Sequence, residues 1–415
     1  MIRIAVIGAG HRGDRAYASQ FLKRDDIKVV SFTDISKEKL ALMKEKYNID
    51  SKYLFNSTDG FFKALDKDKF CDCLIIATPD SNHYETCMRA LDYDLHILLE
   101  KPISTSAVKV KDIYNKAKDK DKVFMICHVL RYAPFYRKIK EIIDSNAIGD
   151  IININHNENI GYYHFAHSFV RGNWRNESLS SPLILQKSCH DMDILLYLID
   201  KKPISINSYG SLKYFRKENK PYGASDRCYN CKLRETCIFS AMDFYNSANG
   251  IGWKSVVTNS NTDEGLLEDL IKGPYGRCVY NCDNDVCDHQ SISIEFEDGI
   301  SVVFNLSAFS NEIHRNIKIQ GTCGEIIADD LEDKIYVRRF KENISTTYYP
   351  EKIAGSHGGG DFELIKAFID AINGDLSKIK SGAYESIMSH YMCFASEVSR
   401  KENKRVNIVK YIDSI

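Results

Sequence analysis

Chemistry is first legible at Gly8-Ala9-Gly10-His11-Arg12-Gly13, directly after the apolar run Ile2, Ile4, Ala5, Val6, Ile7. Gly8 can take turn dihedrals barred to other residues, Gly10 lets the backbone approach a pyrophosphate, and Gly13 lets a helix lie close to the preceding strand. Free N–H groups at that helix start would face phosphates, with His11 and Arg12 inside the turn. A second apolar run (Ile27, Val29, Val30, Phe32) ends at Asp34, where a dinucleotide fingerprint expects an acid for the adenosine ribose. Two later stretches belong with these. Thr78-Pro79, followed by His83, begins where a third strand would deliver the chain to the same edge. Glu100-Lys101-Pro102 ends a fourth strand, and the proline restricts Lys101 to extended conformations, which fixes a lysine at the sheet's edge.

Elements of a recognisable kind must position these residues. Strands are expected over 2–7, 27–32, 72–77, 94–99 and 123–127, with helices over 36–47, 84–91 and 106–117 between them. Such alternation predicts an α/β fold with a doubly wound parallel sheet over 1–127. His83 reads as a helix-start histidine packed on the cofactor-side loop. A helix over 134–144 follows, and from Ile151 the pattern changes. Ile152, Ile154 and His156 alternate, as do 291–296, 300–306, 316–319 and 334–339, with a turn at Asp298-Gly299. A second, α+β part with an open, mostly antiparallel sheet is therefore expected over 128–415, with helices within 361–400.

At 415 residues the chain is long enough for two or three domains. A net charge of -1 offers no basic excess for nucleic acid or a membrane surface. With a strand beginning at Ile2 and no apolar run of bilayer length, a cytoplasmic location is expected. Thirteen cysteines then read as reduced thiols or metal ligands rather than disulfides. Six of them, Cys228, Cys231, Cys237, Cys278, Cys282 and Cys287, fall in a stretch over 215–289. The Cys228-Cys231 spacing places two thiolates on one ion, and Cys237 with Cys278, Cys282 or Cys287 would complete a structural zinc set. A small lobe with buried free thiols is the other reading.

The glycine turn, Asp34, Ala77-Thr78-Pro79, Glu100-Lys101-Pro102, His128 with Arg131-Tyr132, and Cys189-His190-Asp191-Met192-Asp193 together resemble the Gfo/Idh/MocA oxidoreductase family. The resemblance spans almost the whole chain except the cysteine-rich insertion. It implies an N-terminal Rossmann domain, a nicotinamide cofactor, sugars, cyclitols or their derivatives as substrates, and a homodimer or homotetramer. It also implies roles. Histidine titrates near 6.5 and lysine near 10.4 when unperturbed, so His190 is the expected acid/base and Lys101 the group that orients and polarises the substrate oxygen. Arg131, Tyr132, Trp174, Arg175, Gln186, Lys187 and His357 are the expected substrate-side residues, and the cofactor side comprises Gly8, Gly10, His11, Arg12, Gly13, Asp34, Thr78, Pro79, His83, Glu100 and Lys101.

Asp34 favours NAD, since a carboxylate there repels a 2′-phosphate, while Lys37 leaves NADP as the alternative. Relatives often carry an aspartate four residues before the histidine, where this chain has Gln186, followed by Lys187. A glutamine hydrogen-bonds a hydroxyl but holds no negative charge beside the base. That departure, with the insertion, leaves an NAD-dependent glycoside hydrolase acting by transient ring oxidation and elimination as the second reading. Lys187 would bind a substrate carboxylate or oxygen, or sit in a surface salt bridge.

Overall fold

A computed structural model describes residues 1–342, 344–351, 353 and 356–415. The early apolar runs form β1 (Ile2–Ile7), β2 (Ile27–Thr33), β3 (Leu54–Phe55), β4 (Cys73–Ile76), β5 (His96–Leu99) and β6 (Phe124–Ile126). All pair in parallel, in the order β3-β2-β1-β4-β5-β6. Helices on both faces explain why β4 is buried at every residue. Chain order reverses between β1 and β4, and the crevice beyond the carboxyl ends of those strands is where such a sheet takes its ligand.

The second sheet is built from β7 (Ile151–Asn159), β8 (Pro203–Ser211), β9 (His289–Phe296), β10 (Ser301–Ser307), β11 (His314–Gly321), β12 (Gly324–Asp329), β13 (Lys334–Arg339), β14 (Ile344–Tyr348) and β15 (Val406–Asn407). Its order is β14-β13-β12-β11-β7-β10-β9-β8-β15, antiparallel at every pairing except the parallel β7–β10 contact. Asp298 (φ 60°) and Gly299 (φ 77°) supply the left-handed turn between β9 and β10. One face buries Ile294, Val302, Phe304 and Ile319 against Ile194, Leu195 and Leu198 of the helix Cys189–Ile199. The other face is open and polar, with Ser291, Asn305, Asn157 and Asn316 hydrogen-bonded in sequence across four strands. The α/β fold class is thus borne out.

Two features differ from expectation. The segment after the glycine turn, His11–Tyr17, is a wider π-type turn rather than an α-helix. The C-terminal helices also do not belong to the second sheet alone. Gly360–Ile372 buries Leu364, Ile365 and Phe368 in the core that contains Val6 and Val29, and Ala383–Glu402 packs on both sheets. The chain therefore returns to the first sheet, which brings Asp361 to the glycine turn.

Candidate active site

The glycine turn has the geometry a diphosphate needs. Gly8 has φ +103°, and a Cβ there would stand 2.3 Å from the Ala77 carbonyl oxygen. A Cβ on Gly13 would stand 1.9 Å from the Gly8 backbone oxygen, so the end of the strand and the turn that follows it touch only because Gly13 has no side chain. A Cβ on Gly10 would meet nothing within 4 Å, which leaves the turn open on that side. Asp34 directly follows β2 beside it, accepting hydrogen bonds from Ala9 N (2.8 Å) and Ser36 N (2.9 Å). Across the crevice Thr78 Oγ1 is buried without a partner, a hydroxyl left for a ligand. These groups fit a nicotinamide dinucleotide, with Gly8, Gly10, His11, Gly13, Asp34, Thr78 and Pro79 around the crevice.

Gly13→Ala is expected to push helix and strand apart at a cost of about 1–3 kcal/mol. A lowered thermal midpoint together with weaker NADH binding by fluorescence titration checks it; an unchanged chain would mean that the contact relaxes freely.

Arg12 and Glu100 are committed to each other rather than to a ligand. Arg12 Nε lies 2.5 Å from Glu100 Oε1, and its other nitrogens reach Tyr17 and Asp361, the latter at 2.6 and 3.1 Å. Burial raises the Glu100 carboxyl, but Arg12 and Lys101 outweigh it and hold the acid below its ordinary value. The network ties the glycine turn to β5 and to the returning C-terminal helix. His83 is a brace as well: Nδ1 lies 2.6 Å from the Pro102 carbonyl and Nε2 2.9 Å from that of Thr78, so the ring joins the two loops.

Lys101 leaves this edge with its Nζ donating to the backbone carbonyl of Gln186 at 2.6 Å. Gln186 closes the short helix Leu183–Gln186, one turn before His190 in the first turn of Cys189–Ile199. His190 is buried, its ring centre 5.6 Å from that of His357 and 5.8 Å from that of His128. Its Nδ1 has no partner. Burial, then the charge of Lys101, then His357 and His128, push the imidazole well below its ordinary value. The result is a neutral histidine next to a cation at the crevice, able to exchange one proton with a hydroxyl. His357 lies in the left-handed region (φ 53°) and meets Asp361 Oδ2 at 3.2 Å, and burial lowers its pKa.

Other expected substrate-side residues are placed differently. Arg131 forms a buried bidentate pair with Asp193 at 2.7 and 2.8 Å, which fixes the His190 helix, and its third nitrogen donates to the Lys380 carbonyl, so none is left for a substrate. Tyr132 Oη accepts from Lys380 N and Ser381 N in the interior. Arg175 pairs with Asp283 of the insertion at 2.8 and 3.0 Å, and Trp174 stands against Phe169, partly exposed. Lys187 is in neither of its expected settings. Its Nζ pairs with buried Glu158 at 3.2 Å, and burial lowers its pKa.

Glu158 belongs to a network that sequence reasoning missed. Arg315 bridges Glu158 Oε2 (2.5 Å) and Asp191 Oδ1 (2.7 Å), and His156 Nε2 meets the same Asp191 oxygen at 2.9 Å. Burial raises the Asp191 carboxyl, yet Arg315 and His156 prevail and hold it below the usual carboxylate range. The alternation of Ile154 and His156 along β7 carries on to Glu158, and that continuation was the available signal.

The zinc expectation is corrected. Among the described residues no three histidine, cysteine or acidic side chains converge as a single ion requires. Cys282 Sγ instead donates to the Cys278 carbonyl, and Arg171 Nη2 lies 3.5 Å from Cys228 Sγ.

Comparison with known proteins places this geometry in a family. Residues 2–128 match the oxidoreductase family's NAD-binding Rossmann fold, and residues 140–406 match its C-terminal alpha/beta domain. The chain belongs to the Gfo/Idh/MocA oxidoreductase family. It is similar to the oxidoreductase YteT of Bacillus subtilis (strain 168), 23% identical with 88% of each chain covered. It is also similar to the D-glucoside 3-dehydrogenase of Escherichia coli (strain K12), 24% identical over 61% of this chain and 69% of the relative. Scyllo-inositol dehydrogenase from Lactobacillus casei, solved with NAD(H) and scyllo-inositol, shares the fold with a TM-score of 0.67 at 16% identity, covering 99% of each chain.

Proposed function

We propose that this chain is an NAD-dependent dehydrogenase or reductase acting on a hydroxyl of a sugar, cyclitol or derivative. One observation carries the reading: a buried, neutral His190 beside Lys101, at the crevice where the glycine turn opens. Bound in that crevice, the nicotinamide would accept or return a hydride at the substrate carbon. The chain's own residues manage the proton. His190 takes it from the hydroxyl during oxidation or returns it during reduction, and Lys101 donates a hydrogen bond to the same oxygen, favouring its alkoxide character. Arg131, Asp191 and Arg315 position His190 through its helix, while His357 and the Gln186 side chain remain the residues proposed to meet substrate hydroxyls.

The test is to supply NAD with a panel of sugars, glycosides and cyclitols and follow NADH absorbance. NADH formed in step with substrate supports a dehydrogenase. An aglycone released with catalytic NAD and no net NADH would assign the oxidation–elimination route instead, and neither signal would remove both.

Asp34 supports the choice of NAD. Asp34→Asn keeps the acceptor for Ala9 N but removes the charge facing a 2′-phosphate, a repulsion on the order of 1–4 kcal/mol. The ratio of NADP to NAD affinity is expected to rise about tenfold or more, and an unchanged ratio in parallel titrations would assign cofactor choice to another group.

The open polar face of the second sheet supports the expectation of a homodimer or homotetramer, which light scattering decides. Free thiols at all thirteen cysteines support a reducing, cytoplasmic setting. No helix among the described residues is long and apolar enough to cross a membrane.

A further inference from the structure

The insertion meets the main core at a cavity. Phe239, Val279 and Tyr280 belong to the large core of the second sheet, while Cys228 belongs to a small core that the insertion makes with Ala241, Tyr245, Leu266, Leu270 and Tyr275. Between the two lies a space of about 270 Å³, lined by Phe239, Val279, Tyr280, Cys228 and Leu233 among others. An apolar cavity of about 150 Å³ takes a benzene ring, so this one has room for a ring with a substituent.

The polar side chains around it are rich in donors. Arg171 lines the cavity and is 2% exposed. Its Nε donates to the Arg277 carbonyl at 2.8 Å, and its Nη2 to the Phe239 carbonyl at 2.7 Å and toward Cys228 Sγ at 3.5 Å; Nη1 takes part in none of these bonds. Ser240, 3% exposed, lines the same space, and its Oγ is buried without a partner. Arg227, whose Nε is buried and unpartnered, lines it too.

No aspartate, glutamate or histidine stands among the described residues of the wall. Arg171 has no carboxylate partner among the described residues, and the groups that act on its charge are Cys228, Tyr245, Cys282 and Cys278. A buried cation without an anion, near a hydroxyl and an N–H without acceptors, is costly until an acceptor arrives.

A carboxylate accepts from several donors at once and brings the missing negative charge. The rest of the wall selects what the carboxylate is attached to. Leu233, Phe239 and Val279 are apolar, and the two tyrosines there satisfy each other, Tyr280 Oη donating to Tyr214 Oη at 2.8 Å. A sugar would bury hydroxyls against this wall without partners, so the cavity is no second copy of the crevice.

We propose that this cavity binds a small monocarboxylic acid with an apolar, ring-sized body, its carboxylate held by Arg171 and Ser240 and its body by Leu233, Phe239 and Val279. The acid binds as its anion and leaves unchanged, and its binding is independent of hydride transfer.

Benzoate is the probe, titrated calorimetrically into the full chain saturated with NADH. Benzamide is its neutral counterpart, and acetate has the charge without the body. One benzoate site per chain is expected, with benzamide and acetate each at least about tenfold weaker. Ser240→Ala should weaken benzoate about tenfold and Arg171→Met about a hundredfold, the loss of one hydrogen bond to a charged group and of the buried counter-charge. Lys101→Met should leave benzoate affinity unchanged, which keeps the probe out of the crevice. NADH titration and the thermal midpoint report whether each variant folds; if Arg171→Met does not, Ser240→Ala decides. No saturable benzoate binding, benzamide binding as tightly as benzoate, Ser240→Ala without effect, or binding lost in Lys101→Met would each overturn the proposal.

Discussion

Lys101→Met should lower kcat roughly a thousandfold while NAD affinity stays within a few-fold. Methionine keeps most of the apolar stem and removes only the donor and its charge. In the folded chain that charge is spent on the Gln186 carbonyl and on His190, not on the glycine turn, which is why binding should survive. The same change has a second readout. Because Lys101 is one of the groups that depress the His190 pKa, its loss should move the acid limb of residual activity to higher pH. A near-wild-type kcat would remove the lysine from the reaction, and a large loss with an unmoved acid limb would separate it from His190.

Replacing His190 by asparagine should cost about 10²–10⁴ in kcat/KM for hydroxyl oxidation, the range expected when a positioned general base is removed. The wild-type pH profile carries the sign. Oxidation needs the neutral imidazole, and burial together with Lys101 keeps it neutral to well below the ordinary histidine value of 6.5. The oxidative rate should therefore hold through pH 6.5 and fall only in more acidic buffer. In His190→Asn that limb should vanish. If the wild-type limb lies above 6.5, or persists in the variant, the base is a different residue.

Both predictions rest on a neutral histidine held by a charged scaffold, and the scaffold explains why so many polar residues near the site do not face substrate. Arg131 and Asp193 fix the flank of the His190 helix. Asp191, held by Arg315 and His156, fixes its first turn, and Glu158 continues the chain to Lys187. Removing one member would strand a buried charge at a cost of several kcal/mol, so substitutions here should act on stability before they act on chemistry.

The residues read as substrate contacts from sequence were often these struts. Arg131, Tyr132, Arg175 and Lys187 carry the groups that bind hydroxyls, and nothing local to them reveals that Asp193, Lys380, Asp283 and Glu158 come first. Each of those partners is distant in the chain or on another element, and pairing between charges is decided by which surfaces are brought together. His83 was legible as a brace because it opens the helix that directly follows the Thr78-Pro79 loop, where one of its two carbonyl partners lies; the other, Pro102, follows the next strand.

The parallel sheet, the glycine turn with Asp34 at its side, and the lysine held before Pro102 were legible in the order of residues alone. Those depend on short-range rules, namely apolar runs, glycine dihedrals and the restriction a proline places on its neighbour. Folding in three dimensions was needed to bring helix Gly360–Ile372 back to the first sheet and to end Lys101 against Gln186 beside His190. These are contacts between segments far apart in the chain, set by which apolar faces must be covered and which buried charges must find a partner, and no local pattern encodes them.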